Sequence, residues 1–237
     1  MKKLALLGVL LLVAISPSLA GDSWELVGDE DGIKVWRRDV AGSPIVAFKG
    51  ETTVEAPIAK VATVLDDTSR KMEWVCNILE AKNVRIISPT ERVEYNRTSA
   101  PWPCKDRDFV FHAELKADKK AQTLVFQLKS VVDPGQPVDE DKAIRGELLD
   151  SSYTLVSLGE KKTRVTVEIQ VDPKGSVPKF VVNWAQKGWP RKTLEGIRDQ
   201  CKKSDVGELA LAKELLAPPR EGVAVAAITS VTKNDKP

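Results

Sequence analysis

Residues suited to catalysis are few in this chain of 237 residues. It holds one histidine, His112, and three cysteines, Cys76, Cys104 and Cys201. One histidine rules out multi-histidine metal sites, and neither CxxC nor HExxH occurs. His112 has no GxSxG serine and no second histidine to work with, so it reads as an exposed or edge residue rather than a general base. A catalytic cysteine would need a nearby base and a lowered pKa, and nothing around Cys104 in "PWPCKDRD" supplies either. In an oxidising compartment one disulfide could form, with one thiol left over; the spacing does not say which pair. No catalytic residue, metal ligand or cofactor is assigned.

What remains is an acid and an apolar face. In the run 107–116, Phe109, Phe111, Ala113 and Leu115 share one side of an extended chain, with Asp108, Val110, His112 and Glu114 on the other. The first side needs a core or a ligand to pack on. In the run 91–99, Glu94 alternates with Val93 and Tyr95 and shares its side with Arg92, Asn96 and Thr98. That parity predicts a solvent-facing Glu94. Were it buried without a partner, its pKa would rise.

These residues must be positioned by a sheet. Runs at 33–38, 44–54, 83–88, 91–99, 107–116, 122–132 and 163–171, with short ones around 143–158, alternate with period two and lie too close together for helices between them. In them Leu124, Phe126 and Leu128 share one side, as do Val165, Val167, Ile169 and Val171, and "ADKKAQ" reads as a hairpin turn. From Pro57, Ile58, Val61, Ala62 and Leu65 recur at helical spacing, and "DDTSRKMEWV" starts a second short helix. After "DPKGSVP" a long amphipathic helix carries Phe180, Val181, Trp184, Gly188, Trp189, Leu194, Ile197 and Cys201, with Pro190 predicted to kink it. A short helix "GELALAKELLA" and a small, polar, poorly ordered end follow. Strands, a helical insertion, a strand meander and one terminal helix make an α+β domain: a curved antiparallel sheet with one apolar face, closed by a helix.

Charge and the first residues narrow the partners. "MKKLALLGVLLLVAISPSLA" pairs two lysines with an apolar run of about a dozen residues and a Ser18-Leu19-Ala20 end, shorter than the ~20 a spanning helix needs. It reads as a cleaved export signal, 1–20, which predicts a periplasmic or secreted protein. Removing it leaves 34 basic and 34 acidic residues, without the basic excess a nucleic-acid binder carries.

Five segments, in order, resemble one family. "GIKVWRRD" with "FKGETTV", "VLDDTSRKMEW", "PWPCKDRDFV", "AIRGE" and "VDPKGSVPKFVVNWAQKGWPRKTLEGIR" are similar to the START lipid-transfer domain, across about residues 24–203. The resemblance implies a helix-grip fold, in which the sheet wraps the C-terminal helix around an internal hydrophobic tunnel for one lipid. The domain is then 21–203 and the tail 204–237. Ligand contacts are expected from Trp74, Glu94, Asn96, Phe109, Phe111, Ala113, Leu124, Phe126, Arg145, Val167, Ile169, Phe180 and Trp184. Gating or membrane contact falls to Trp102, Gly175, Gly188, Trp189 and Pro190. In sterol-type members an acid and a base pair inside the cavity; here the acid position is Glu94 and the base position is Ala113, so either the sterol-type clamp is absent or its positive partner comes from elsewhere, with Arg145 and Arg97 as candidates. The resemblance thus predicts a monomeric lipid carrier, for a sterol or phospholipid-like molecule, that touches membranes transiently.

Two features keep alternatives open. Trp102 is either a packing anchor or a membrane-touching ring. The segment 174–203 carries eight basic residues and two acidic ones, either a solvated helix back or a surface for anionic lipid heads. The rival function is a helix-grip enzyme, a cyclase or hydrolase of hydrophobic molecules; the scarcity of inward-facing acid–base pairs speaks against it.

Overall fold

The computed structural model describes residues 23–102, 104–177, 182 and 186–218. The expected export segment, Phe180, Trp184 and the last part of the tail lie outside these residues. The chain begins with a hairpin, β1 (Glu25–Glu30) and β2 (Ile33–Arg38), turning at Asp31-Gly32, both at positive φ. β3 (Ala47–Val54) follows, then α1 (Ile58–Asp66) and a 3₁₀ turn (Thr68–Glu73). β4 (Ile78–Ser88), β5 (Glu91–Thr98), β6 (Asp106–Asp118) and β7 (Thr123–Ser130) form a meander. β8 (Ala143–Arg145), β9 (Glu147–Ser157), β10 (Thr163–Asp172), α2 (Trp189–Lys202) and α3 (Ala210–Leu216) complete it.

The strands form one curved sheet in the order β1-β2-β3-β10-β9-β7-β6-β5-β4, antiparallel throughout this path. Only the three-residue β8 runs parallel, beside the start of β6. Both β1 and β4 are edges, and the register of β4 against β5 slips at three places. β1 escapes the sequence reading because "ELVGDE" has almost nothing to bury; its side chains are exposed or half-buried.

The core lies between the sheet and the helices. Leu124, Phe126, Leu155, Val165 and Val167 from the sheet meet Val61 and Leu65 of α1 and Leu194 and Ile197 of α2. Each fully buried aliphatic side chain contributes about 1.5–3 kcal/mol. Two glycines let α2 approach closely. A Cβ at Gly50 of β3 would lie 2.8 Å from Pro190 Cβ and 2.9 Å from Leu194 Cδ1. One at Gly196 would lie 2.1 Å from the Trp74 carbonyl oxygen.

Two expectations change here. The predicted kink is a full break: Gln186 and Lys187 are helical, Gly188 turns, and α2 restarts at Trp189 with Pro190 in its first turn, where its missing N–H leaves no bond unmade. The short helix after 204 is no loose tail, because Val206, Ala212 and Leu216 are buried in the same core and Leu209 N–H donates to the Ala59 carbonyl.

Candidate functional site

Pairing fixes which residues share the face under α2. Across β5, β6, β7, β9 and β10 one row reads Arg92, Ala113, Leu128, Ser151, Ile169. Beside it Glu94 pairs with Phe111, which pairs with Ser130, and Asn96 pairs with Phe109. On the other flank Leu115, Phe126, Tyr153, Val167 and Gly50 align. Phe109 and Ile169 join Phe48, Val171 and Trp189 in an apolar cluster, while Leu124, Phe126 and Val167 belong to the main core. The apolar side of β6 therefore does face inward.

So does Glu94, against its parity reading: it is 1% exposed. It is also paired. Lys71, from the 3₁₀ turn, donates to Oε2, and Arg92 Nε donates to Oε1 at 2.7 Å. Arg92 Nη1 continues to Asp66 Oδ1 at the end of α1, also at 2.7 Å. The result is a chain of alternating charge, Lys71–Glu94–Arg92–Asp66, joining β5 to α1 and the turn. Burial alone would raise the Glu94 pKa, but the charges of Lys71 and Arg92 and their hydrogen bonds outweigh it and hold the carboxyl below its ordinary range. The Lys71 ammonium also lies 5.5 Å from the centroid of the Phe111 ring. Tyr153 is buried; that burial, then the nearby Glu94 and Cys76, push its phenol pKa well up.

Around this chain several buried polar atoms have no hydrogen-bond partner: Trp74 Nε1, Asn96 Oδ1, Ser151 Oγ and Thr193 Oγ1. Asn96 and Ser151 face α2 by register, and Thr193 is buried on α2 itself. Buried polar groups in native proteins nearly always find a partner, in the protein or in ordered water, and the described protein atoms supply none to these four. Among the described residues no cluster of three or more His, Cys, Asp or Glu could hold a metal ion.

The START domain model matches residues 16–202. The chain belongs to the START domain family. This START domain is 28% identical over 204 residues to an uncharacterised protein of Pseudomonas aeruginosa, covering 83% of this chain and 98% of the other. It is 25% identical to the mouse phosphatidylcholine transfer protein, over 78% of this chain and 86% of that one. Among solved structures, the STAR-related lipid transfer protein fragment from Xanthomonas axonopodis superposes with a TM-score of 0.70 at 28% identity, covering 77% of this chain and all of that one.

Within the START domain the proposed positive partners of Glu94 prove to be on the wrong face. Arg145 forms a two-pronged pair with Asp108 at 2.9 and 3.1 Å, and Arg97 pairs with Asp106 at 3.0 Å. Asp108 alternates with the inward Phe109, so these guanidiniums sit outside, around Tyr95. Arg145 is thus not a ligand contact. The true partners are Lys71 and Arg92. Arg92 shares the parity of Glu94 and was legible as its neighbour; Lys71 reaches it only through the tertiary fold.

Trp74 is buried against α2 beside Gly196, and Trp189 packs half-buried between two apolar clusters. Trp102 is 93% exposed in the β5–β6 loop and packs on nothing, which removes the anchor reading. Val132, 98% exposed, and Val138 lie in the loop leading to β8, and Lys105 Nζ donates to the Glu140 carbonyl, joining the two loops. A third loop is tied in by buried Arg107, which donates to the carbonyls of Lys105, Pro173 and Lys174. The next residue, Gly175, has φ +75°. A proline there, with φ fixed near −65°, would dismantle the turn rather than stiffen it.

Most of the basic segment is neutralised by the fold. Lys174 pairs with Glu147, Arg191 with Glu30, Asp31 and Glu195, and Lys203 with Glu73. With Lys202 paired to Asp199, that leaves exposed Lys187 and Lys192, and Arg198, which donates to the Asp31 carbonyl and Thr52 Oγ1, as the described basic residues of the segment for which no ion pair forms. The cysteines are free thiols; burial pushes Cys201 up to about 11 and also raises Cys76, so neither is a ready nucleophile.

Proposed function

We propose that this START domain is an exported lipid carrier, holding one lipid in a tunnel between the sheet and α2 and moving it between membranes. The observation that carries the reading is the set of unpartnered polar atoms around a buried charge chain, set in an otherwise apolar face. Phe109, Phe111, Ala113, Leu124, Phe126, Val167 and Ile169 supply that face, and Trp74, Glu94 and Asn96 its polar contacts. The lipid-transfer names of the mouse and Xanthomonas relatives point the same way. A sixteen-carbon chain leaving water gains about 13 kcal/mol at ~0.8 per methylene. A bilayer offers as much, so an apolar interior that matches it makes transfer nearly neutral. The protein's task is to shield the chain in transit, and no bond needs to be made or broken.

The spread of the polar atoms favours an extended ester lipid over a sterol. Asn96 on β5 and Ser151 on β9 are separated by β6 and β7, about 14 Å along the sheet at ~4.8 Å per strand spacing. One sterol hydroxyl reaches only one of them, whereas a glycerolipid carries polar groups over that span. Loading takes place where Trp102, Val132 and Val138 protrude, at the interfacial depth aromatic rings prefer, and the Gly188–Pro190 break before α2 is the hinge.

Native mass spectrometry of the mature protein purified from its own host, followed by lipid extraction, checks this reading. One stoichiometric ester lipid is expected. A bare protein that also takes none from offered vesicles would move the reading to an enzyme. Trp102→Ala should slow transfer between vesicles several-fold while stability stays within about 0.5 kcal/mol, as for other exposed sites.

A further inference from the structure

The charge chain contains two cations and two anions. Lys71 and Arg92 face Glu94 and Asp66, and every contact in the chain is made between opposite charges. Arg107 shares this face through its pairing with Thr98, but it lies at the start of β6, beyond Asn96, and its guanidinium is taken up by the carbonyls of Lys105, Pro173 and Lys174. Around Glu94 the interior is therefore polar yet electrically closed. An added anion would find both cations already engaged and would face a carboxylate held in its charged form.

We propose that Glu94 is the charge filter of the lipid site: with its carboxylate in place the site admits only lipids whose heads carry no net charge. The inference rests on the carrier reading above and adds to it the rule by which ligands are selected. The reason is electrostatic. A charge moved into a low-dielectric interior needs a partner of opposite sign, and Glu94 already occupies that position against Lys71 and Arg92. A zwitterionic or uncharged ester head brings acceptor oxygens, which suit the indole N–H of Trp74 and the hydroxyls of Ser151 and Thr193, without bringing a net charge. Removing the carboxylate alone leaves the site at one positive charge, and a lipid phosphate can then take its place beside Lys71 and Arg92. Removing Arg92 as well restores neutrality, since Lys71 and Asp66 remain.

The experiment is competition within a single vesicle, which cancels any effect of surface charge on docking. Full-length mature protein is incubated with vesicles of equimolar phosphatidylcholine and phosphatidylglycerol, and bound lipid is counted by native mass spectrometry. Wild type should take phosphatidylcholine at least about tenfold over phosphatidylglycerol, and Glu94→Gln should shift that ratio by at least about tenfold towards the anionic lipid. Glu94→Gln with Arg92→Gln should return towards the wild-type ratio. Wild-type protein that takes the two lipids in the ratio offered overturns the filter whether or not any variant folds. So does a folded Glu94→Gln protein, by circular dichroism, with unchanged preference. Protein that takes neither lipid overturns the carrier reading, and the filter with it.

Discussion

Strand β5 carries two sets of charges, one on each face, and the two behave differently. On the inner face Arg92 and Glu94 are nearly fully buried and close a chain with Lys71 and Asp66. On the outer face Arg97 reaches Asp106 and, more loosely at 3.8 Å, Glu80, while across the pairing Asp108 is clasped by Arg145. The outer pairs tie loops and strand ends to the sheet, and their guanidiniums stay partly open to water. The inner chain lies among unpartnered polar atoms and an apolar wall. Similar residue types thus do two jobs, and the face of the sheet decides which, since Asp108 outside is as buried as Glu94 inside.

That contrast predicts a ranked set of effects. Glu94→Leu leaves Lys71 as an uncompensated buried cation and Arg92 with Asp66 alone, and should lower stability by about 3–5 kcal/mol, measured by urea unfolding. Acid should have the same effect gradually. Because the folded pKa of Glu94 is depressed, its contribution is present above the ordinary carboxylate value of ~4.3 and disappears as pH falls through the lower folded value. Wild type and Glu94→Gln should then converge in urea midpoint below about pH 4; a constant gap down to acid pH would show that the charge of Glu94 is not what matters.

Asp108→Ala comes next, at about 1–3 kcal/mol, since Arg145 keeps only the Gln136 and Pro137 carbonyls. Asp106→Asn should be smallest, under about 1 kcal/mol and fading with added salt. If Asp106→Asn equalled Glu94→Leu, the distinction between the faces would fail.

The positions of the strands were readable from alternation, because β6, β7 and β10 each bury one side and "TRVTVEIQVD" can be placed only one way. The helix from Ile58 and the hairpin at 117–122 were readable for similar reasons. β1 was not, because a half-exposed edge strand leaves no periodic trace. The side on which Glu94 sits was misread for a physical reason. Parity assigns residues to two faces but not the faces to water or core, and charged residues were given to water. The register with Phe109, Phe111 and Ala113 would have corrected this, and Arg92 with it. Nothing local could have named Lys71 or Thr193, whose places depend on how the 3₁₀ turn and α2 settle on the sheet.

The missing side chain at Gly50 also governs capacity. Because β3 offers no Cβ there, Pro190 and Leu194 rest almost on its backbone, and α2 lies low at that point. A methyl group at 50 would raise the start of the helix by a few tenths of an ångström and lengthen the lever that Leu194 makes over Val167. In the carrier proposed above, the room beneath α2 is therefore set in part at a residue that would never touch the lipid, like the thickness of a washer beneath a hinge.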